Sequence, residues 1–290
     1  VDFRPRISFE IFPPKTPEGA VRLEGEIKKL ASLSPSFISI TYGAGGSGQN
    51  GTFETLTTVS RQTKIEAVPH VTCIGSSRAG IRSLLDRYLR AGVKRIVALR
   101  GDLPTGTEGQ PLQNEFRYAN ELVSFIREEY GSELGIEVAA YPEMHLEAPT
   151  PRIDFENFLR KLEAGADGAV TQLFYNAESY FDFMERCSKA NVRVPIVPGI
   201  MPITSFASLQ RFCQSCGADL PRWMRLRLEE LQDDKPSLRQ LGHIIVARLC
   251  RTLLENGAPG LHFFTINQAE PTIRLCETLG LQKVCVDSSF

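Results

Sequence analysis

The sequence predicts an α/β fold, a single (β/α)8 TIM barrel with extra helices, spanning residues 1–290 as one domain. Three observations carry that expectation. Short apolar, β-branched runs alternate with longer stretches of helical period through about eight cycles, as a barrel of strand–helix units requires. Several of the runs are apolar on both faces, the pattern of parallel strands covered on both sides. One cadence of helix, glycine, turn and strand recurs at Arg90-Ala91-Gly92-Val93, Glu163-Ala164-Gly165-Ala166 and Glu255-Asn256-Gly257-Ala258. An open doubly wound sheet is the alternative arrangement of the same units.

In order, the strands are expected at Ile7–Phe12, Phe37–Tyr42, Ala67–Cys73, Arg95–Arg100, Glu137–Tyr141, Gly168–Phe174, Pro195–Ile200 and Gly260–Asn267. The helices between them are expected at Gly19–Ser32, Thr52–Thr63, Arg78–Ala91, Phe116–Tyr130, Asp154–Ala164, Ala177–Ala190, Ser205–Cys216 and Ser237–Asn256, with a last one at Glu270–Leu279. Thr16 before Pro17-Glu18 and Asp154 before Phe155-Glu156 read as N-caps, and Gly92, Gly165 and Gly257 as helix stops. The stretch Gln214–Lys235 reads as an added helical excursion.

Composition narrows the partners. Lys plus Arg number 33 against 34 Asp plus Glu, so no basic field exists for nucleic acid or an anionic membrane, and small molecules are the expected partners. The seven cysteines, at 73, 187, 213, 216, 250, 276 and 285, form no disulfide framework, which suits a reducing cytoplasm. No apolar run approaches the roughly 20 residues of a membrane span, and no signal-peptide core is seen at the start.

Function in such a barrel gathers where strands end. The first strand carries Glu10, a carboxylate in an apolar run that must be paired, hydrogen-bonded or protonated. The second ends in Thr41-Tyr42 and a glycine loop, Gly43-Ala44-Gly45-Gly46-Ser47-Gly48. Then come His70 and Thr72, Arg100-Gly101-Asp102, Tyr141-Pro142-Glu143 with His145, Gln172, and finally His262, Thr265 and Asn267-Gln268. Each also has a structural reading: Glu10 as the partner of a barrel arginine, Asp102 as turn material, His70 as a core imidazole, and Gln172 as an amide for whose hydrogen bonds a ligand is only one candidate.

Three motifs are set aside. The glycine loop matches G-x-G-x-x-G, but Gln49-Asn50-Gly51 is expected to prolong it where a dinucleotide site needs a helix. Cys213-x-x-Cys216 has no second pair or nearby histidine to complete a metal set, so no metal is expected. Neither H-E-x-x-H nor G-x-S-x-G occurs.

Taken in order, Ser8-Phe9-Glu10-Ile11-Phe12-Pro13-Pro14-Lys15, Ile40-Thr41-Tyr42-Gly43-Ala44, Pro69-His70-Val71-Thr72-Cys73, Ala98-Leu99-Arg100-Gly101-Asp102-Leu103-Pro104 and Ala139-Ala140-Tyr141-Pro142-Glu143 resemble one family. Thr171-Gln172-Leu173-Phe174, Pro198-Gly199-Ile200-Met201-Pro202 and Leu261-His262-Phe263-Phe264-Thr265-Ile266-Asn267 continue the match over nearly the whole chain. The set closely resembles the catalytic barrel of the methylenetetrahydrofolate reductases, in the bacterial type. The resemblance implies a flavin-dependent cytoplasmic oxidoreductase of one-carbon metabolism and methionine biosynthesis, working as a homo-oligomer. It would use FAD, with NADH or NADPH as co-substrate, to reduce 5,10-methylenetetrahydrofolate to 5-methyltetrahydrofolate by ping-pong hydride transfer.

By that resemblance Glu10 is the general acid that protonates the folate amine as the ring opens to an iminium, and Asp102 the carboxylate that stabilises this cation. Gln172 would hydrogen-bond the pterin, Phe212 would pack on nicotinamide or folate, and Ser208, Gln268 and Thr41 would complete the substrate contacts. The FAD set would be Thr41, Tyr42, Ala44, His70, Arg100, Gly101, Asp102, Tyr118, Ala119, Tyr141, His145, Ala148, Asp154, Asn157, Arg160 and Lys161. Two positions depart from the family pattern: Gln268 stands where an arginine grips the folate's glutamate tail, and Ser208 where a glutamine is common. They motivate a second expectation, a folate- or flavin-binding barrel with lost or altered turnover.

Overall fold

The computed structural model describes residues 5–42, 48–102 and 115–281. Ala44, the loop residues 43–47 and Cys285 lie outside the described residues. The strands are β1 (Arg6–Ile11), β2 (Phe37–Ile40), β3 (Glu66–Thr72), β4 (Arg95–Leu99), β5 (Gly135–Ala140), β6 (Gly168–Thr171), β7 (Ile196–Val197), β8 (Gly199–Ile200) and β9 (Gly260–Phe264). The helices are α1 (Pro17–Ala31), α2 (Gly48–Gln62), α3 (Arg78–Arg90), α4 (Ala119–Tyr130), α5 (Pro151–Glu163), α6 (Ala177–Lys189), α7 (Phe206–Cys216), α8 (Arg222–Glu230), α9 (Lys235–Glu255) and α10 (Ala269–Thr278).

Every strand pairing is parallel, in the order β7-β6-β5-β4-β3-β2-β1-β9-β8. The seventh expected strand is two short pieces because Pro198 has no N–H to give a ladder. Its first half pairs with β6 and its second with β9, and Pro198 still accepts from the His262 N–H at 3.0 Å. That shared strand closes the sheet into a barrel, so the open doubly wound alternative is excluded.

The core lies between sheet and helices. β1 sends Ile7, Phe9 and Ile11 into that layer, where they join Leu23, Ile27 and Leu30 of α1. A strand has period two, so Ser8 and Glu10 take the inner face of the barrel. Thr16 caps α1 by accepting from the Gly19 N–H at 3.1 Å. Gly92, Gly165 and Gly257 end their helices at φ 83°, 112° and 89°, which explains the recurring cadence.

Four local expectations are corrected. α2 begins at Gly48, so Gln49-Asn50-Gly51 is helix and not loop; Asn50 accepts from the Arg87 guanidinium at 3.3 Å, which ties that first turn to α3. α5 begins at Pro151 on a Thr150 cap, leaving Asp154 in its first turn. α4 starts at Ala119, and Phe116 is instead a buried ring packed edge-on against Phe125. The last strand stops at Phe264, because Ile266 and Asn267 turn left-handed at φ 51° and 54°.

Candidate active site

Glu10 sits near the upper end of β1 with its side chain 13 % exposed, between two imidazoles. Its carboxylate lies 3.5 Å from His70 Nε2 and 3.8 Å from His262 Nε2. Below them the Ser8 hydroxyl and His262 Nδ1 are 2.7 Å apart. When that hydroxyl donates, the other ring nitrogen carries the proton, and it is the one that faces Glu10. Burial pushes the His70 imidazole below its usual range, with Glu10 pulling the other way and His262 adding to the depression, so His70 is neutral at neutral pH.

The backbone under Glu10 is gripped from β9. Thr265 donates to the Glu10 carbonyl through both its hydroxyl, at 2.7 Å, and its N–H, at 3.2 Å. Two residues on, the Asn267 amide accepts from the Phe12 N–H at 2.8 Å and donates to the Phe12 carbonyl at 2.9 Å. Left-handed backbone is costly for a branched residue such as Ile266, and it persists here because it aims Asn267 at Phe12.

A second arc runs over the neighbouring strand ends β2 to β5. Thr41 follows β2 and is fixed by its N–H to the Ile11 carbonyl at 3.0 Å, with half-buried Tyr42 next to it. Arg100 follows β4 and makes a two-pronged pair with Glu147, at 2.5 and 2.6 Å, which holds its guanidinium charge firmly and lowers the Glu147 carboxyl. Gly101 is left-handed at φ 86°, and a side chain there would strike Thr72 and Ile74; Asp102 beside it is exposed. Tyr141 meets His145 edge to face with ring centroids 4.7 Å apart, and burial pushes its phenol up to about 12.

His145 takes the Glu147 N–H on Nδ1 at 3.1 Å, and its own N–H goes to Asp154 at 3.1 Å. Lys161, on α5, donates to the Ala139 carbonyl at 2.5 Å and lies 5.6 Å from the Tyr141 ring centroid. Burial lowers its ammonium to about 8, against the pull of Asp154. The remaining members are more peripheral: Tyr118 is 57 % exposed at the α4 cap, next to Ala119 at the start of that helix. Arg160 is exposed and donates to Asn157 at 3.0 Å, and the Ala148 N–H meets the His145 carbonyl at 2.9 Å.

The other side of the mouth holds Gln172, Ser208, Phe212 and Gln268. Gln172 follows β6, and its amide oxygen accepts from the Leu173 N–H at 2.9 Å, leaving the NH2 as a donor. Ser208 and Phe212 are half-buried one turn apart on α7, whose cap Ser205 receives the Ser208 N–H at 3.5 Å. Gln268 is exposed at the start of α10.

Glu10 therefore lies against both His70 and His262, whereas Asp102 and Gln268 stand exposed. Reading the sequence residue by residue missed Ser8 and Glu147 as working parts, and it placed Asn267 at a strand end without its partner Phe12. Period two already placed Ser8 on the face of Glu10, whereas pairings across 255 positions, as in Asn267–Phe12, or 47, as in Arg100–Glu147, leave no local trace.

The architecture and site define a parallel-barrel enzyme with a carboxylate between two imidazoles at the strand ends, beside an arc of cations and aromatic rings. The family model described as "Methylenetetrahydrofolate reductase" matches residues 3–280. The 5,10-methylenetetrahydrofolate reductase of Salmonella typhimurium is 39 % identical over 276 residues, covering 95 % of this chain and 91 % of that protein. Its Escherichia coli counterpart is 38 % identical with the same coverage. The chain belongs to the methylenetetrahydrofolate reductase family. Among solved structures, an uncharacterized Clostridium thermocellum protein that binds two copies of 5-methyl-5,6,7,8-tetrahydrofolic acid matches with a TM-score of 0.65 at 18 % identity, covering 96 % of this chain and 94 % of that one; the likeness is one of fold.

Proposed function

We propose that this chain reduces 5,10-methylenetetrahydrofolate to 5-methyltetrahydrofolate with electrons from NADH or NADPH, using FAD. The observation that carries the reading is Glu10 held between His70 and His262 on a clamped strand end, in a chain with family relatives of about its own length.

The donor set of the arc suits FAD. Arg100 and Lys161 are cations for a pyrophosphate, Tyr141 and His145 present rings, and Thr41, Tyr42 and His70 adjoin them on successive strand ends. Bound there, FAD would take hydride from the nicotinamide and pass it to the folate methylene carbon. The chain's own residues do the rest. Glu10 gives a proton to the folate amine as the ring opens, and Asp102 offers negative charge to the resulting cation. The Gln172 NH2 donates to the pterin, while Phe212 supplies an aromatic face for each substrate in turn.

The reading treats the chain as one catalytic domain in the cytoplasm. The described cysteines are free and, except for Cys216, buried, as in a reducing compartment. No helix among the described residues is long and apolar enough to cross a membrane. The reading also takes the protein to work as a homo-oligomer, and Val21, Trp223, Leu226 and Ile244 are large apolar groups left exposed on its helices.

The test is anaerobic. Protein reconstituted with FAD should bleach with NADH and recover its colour on adding methylenetetrahydrofolate, with 5-methyltetrahydrofolate as product. Absence of flavin binding overturns the reading; bleaching without folate-driven recovery favours the binding barrel suggested by Gln268 and Ser208.

A further inference from the structure

Glu143 follows β5 and has no part in the chemistry above. It is half-buried, and no cation of the described residues pairs with it. The Ser179 hydroxyl, in the first turn of α6, donates to one carboxylate oxygen at 3.2 Å. The Asp219 N–H, just past the end of α7, donates to the other at 2.8 Å. Burial pushes the carboxyl up, against the pull of those two donors. A carboxylate drawn out of water without a cation is expensive, and here its two bonds join three separate elements.

The same loop meets α7 a second time. Gly217 closes that helix in the left-handed region at φ 76°, and a Cβ there would lie 2.7 Å from the Leu146 side chain. Leu146 therefore rests on the helix end, although 57 % of it is exposed. On its other side the loop is pinned to the arc, by the His145 N–H on Asp154 and by Glu147 on Arg100. Residues 143–147 thus bridge the arc to the end of α7, a helix that buries only Phe206, Leu209 and Cys213.

We infer that Glu143 is a positioning residue for substrate binding, fixing the C-terminal end of α7 so that Phe212, one turn before that end, holds its place at the mouth. The inference rests on the reductase reading, in which Phe212 meets nicotinamide and folate in turn. A contact made alike in the ground and transition states sets KM and leaves kcat alone. Arg100, Lys161 and Asp154 stand on other elements with anchors of their own, so FAD binding is indifferent to Glu143. Charge is not what the anchor needs. A glutamine there can accept from the Asp219 N–H through its oxygen and donate through its NH2 to the Ser179 hydroxyl, which also accepts.

The experiment pairs steady-state kinetics of FAD-loaded protein with hydrogen exchange read by mass spectrometry in the absence of substrate. Glu143→Ala should raise KM for both NADH and methylenetetrahydrofolate about fivefold or more, with kcat within about twofold and FAD affinity unchanged. Glu143→Gln should restore both KM values. Amide exchange over residues 213–219 should quicken in Glu143→Ala and stay at the wild-type rate in Glu143→Gln. Leu146→Ala trims an exposed side chain, so it reports on the same grip even where Glu143→Ala does not fold, and it should raise both KM values in the same direction. Unchanged KM or unchanged exchange in the alanine variants, a loss confined to kcat, a glutamine variant as impaired as alanine, or FAD affinity lost in step with KM overturns the inference. Failure of the reductase reading shows separately, as absent wild-type turnover with the exchange response of α7 intact.

Discussion

Lys161 and Asn267 carry the sharpest consequences at the scale of single residues. The Lys161 ammonium is charged below about 8 and neutral above it. If it faces the flavin's pyrophosphate, FAD affinity should fall as pH rises through that value, by about tenfold for a charge-assisted contact. Lys161→Arg, which stays charged, should abolish the pH dependence; fluorescence titration of FAD at a series of pH values checks this. Asn267 satisfies two backbone groups of Phe12 from a left-handed position. Asn267→Gly keeps the conformation and loses the clamp, costing about 1–3 kcal/mol. Asn267→Ala should cost about 1 kcal/mol more, for the added left-handed strain, and denaturant unfolding of the pair separates the two effects.

Closure of the barrel depends, at the scale of elements, on the broken strand at β7 and β8. There the chain passes so close to its neighbours that a Cβ on Gly199 would run into the Thr171 carbonyl oxygen and lie 2.7 Å from the Phe264 ring. Backbone cannot retreat cheaply inside a closed sheet, so Gly199→Ala should destabilise by about 3 kcal/mol or more in urea unfolding. Such elements were legible in the sequence to differing degrees. The helices with strong caps or glycine stops fell within a few residues of expectation because those signals are local. The break at Pro198 is also local, a proline without an N–H inside a strand, whereas the early end of β9 at Phe264 was less visible, since it follows from a contact across the barrel, Asn267 with Phe12. The start of α2 was misjudged because glycine and asparagine are weak helix formers, and the tie from Arg87 to Asn50 outweighs that weakness.

The whole molecule places a titratable imidazole under its catalytic mouth, and this ties stability to pH. His70 has its proton affinity lowered on folding from a reference of 6.5, so below that pH the unfolded chain binds more protons than the native one. This contribution to stability is complete above 6.5 and is lost progressively as pH falls towards the depressed native value. Thermal unfolding should therefore show a Tm that declines below that pH, with a shallower decline in His70→Gln. At this scale the candidate site was the least evenly legible part of the sequence. Glu10, His70 and His262 announced themselves as polar groups in apolar strands. The Arg100–Glu147 pair did not, because its partners stand 47 positions apart and meet only in three dimensions.

The central claim is that Glu10 acts as an acid toward folate and not as a strut for the barrel. Stopped-flow comparison of the two half-reactions in Glu10→Gln tests it most directly. NADH should reduce the flavin at nearly the wild-type rate, while reoxidation by methylenetetrahydrofolate should slow by about 10²-fold or more, the usual worth of a positioned proton donor. Equal slowing of both halves, or folate reduction at the wild-type rate, would contradict the account.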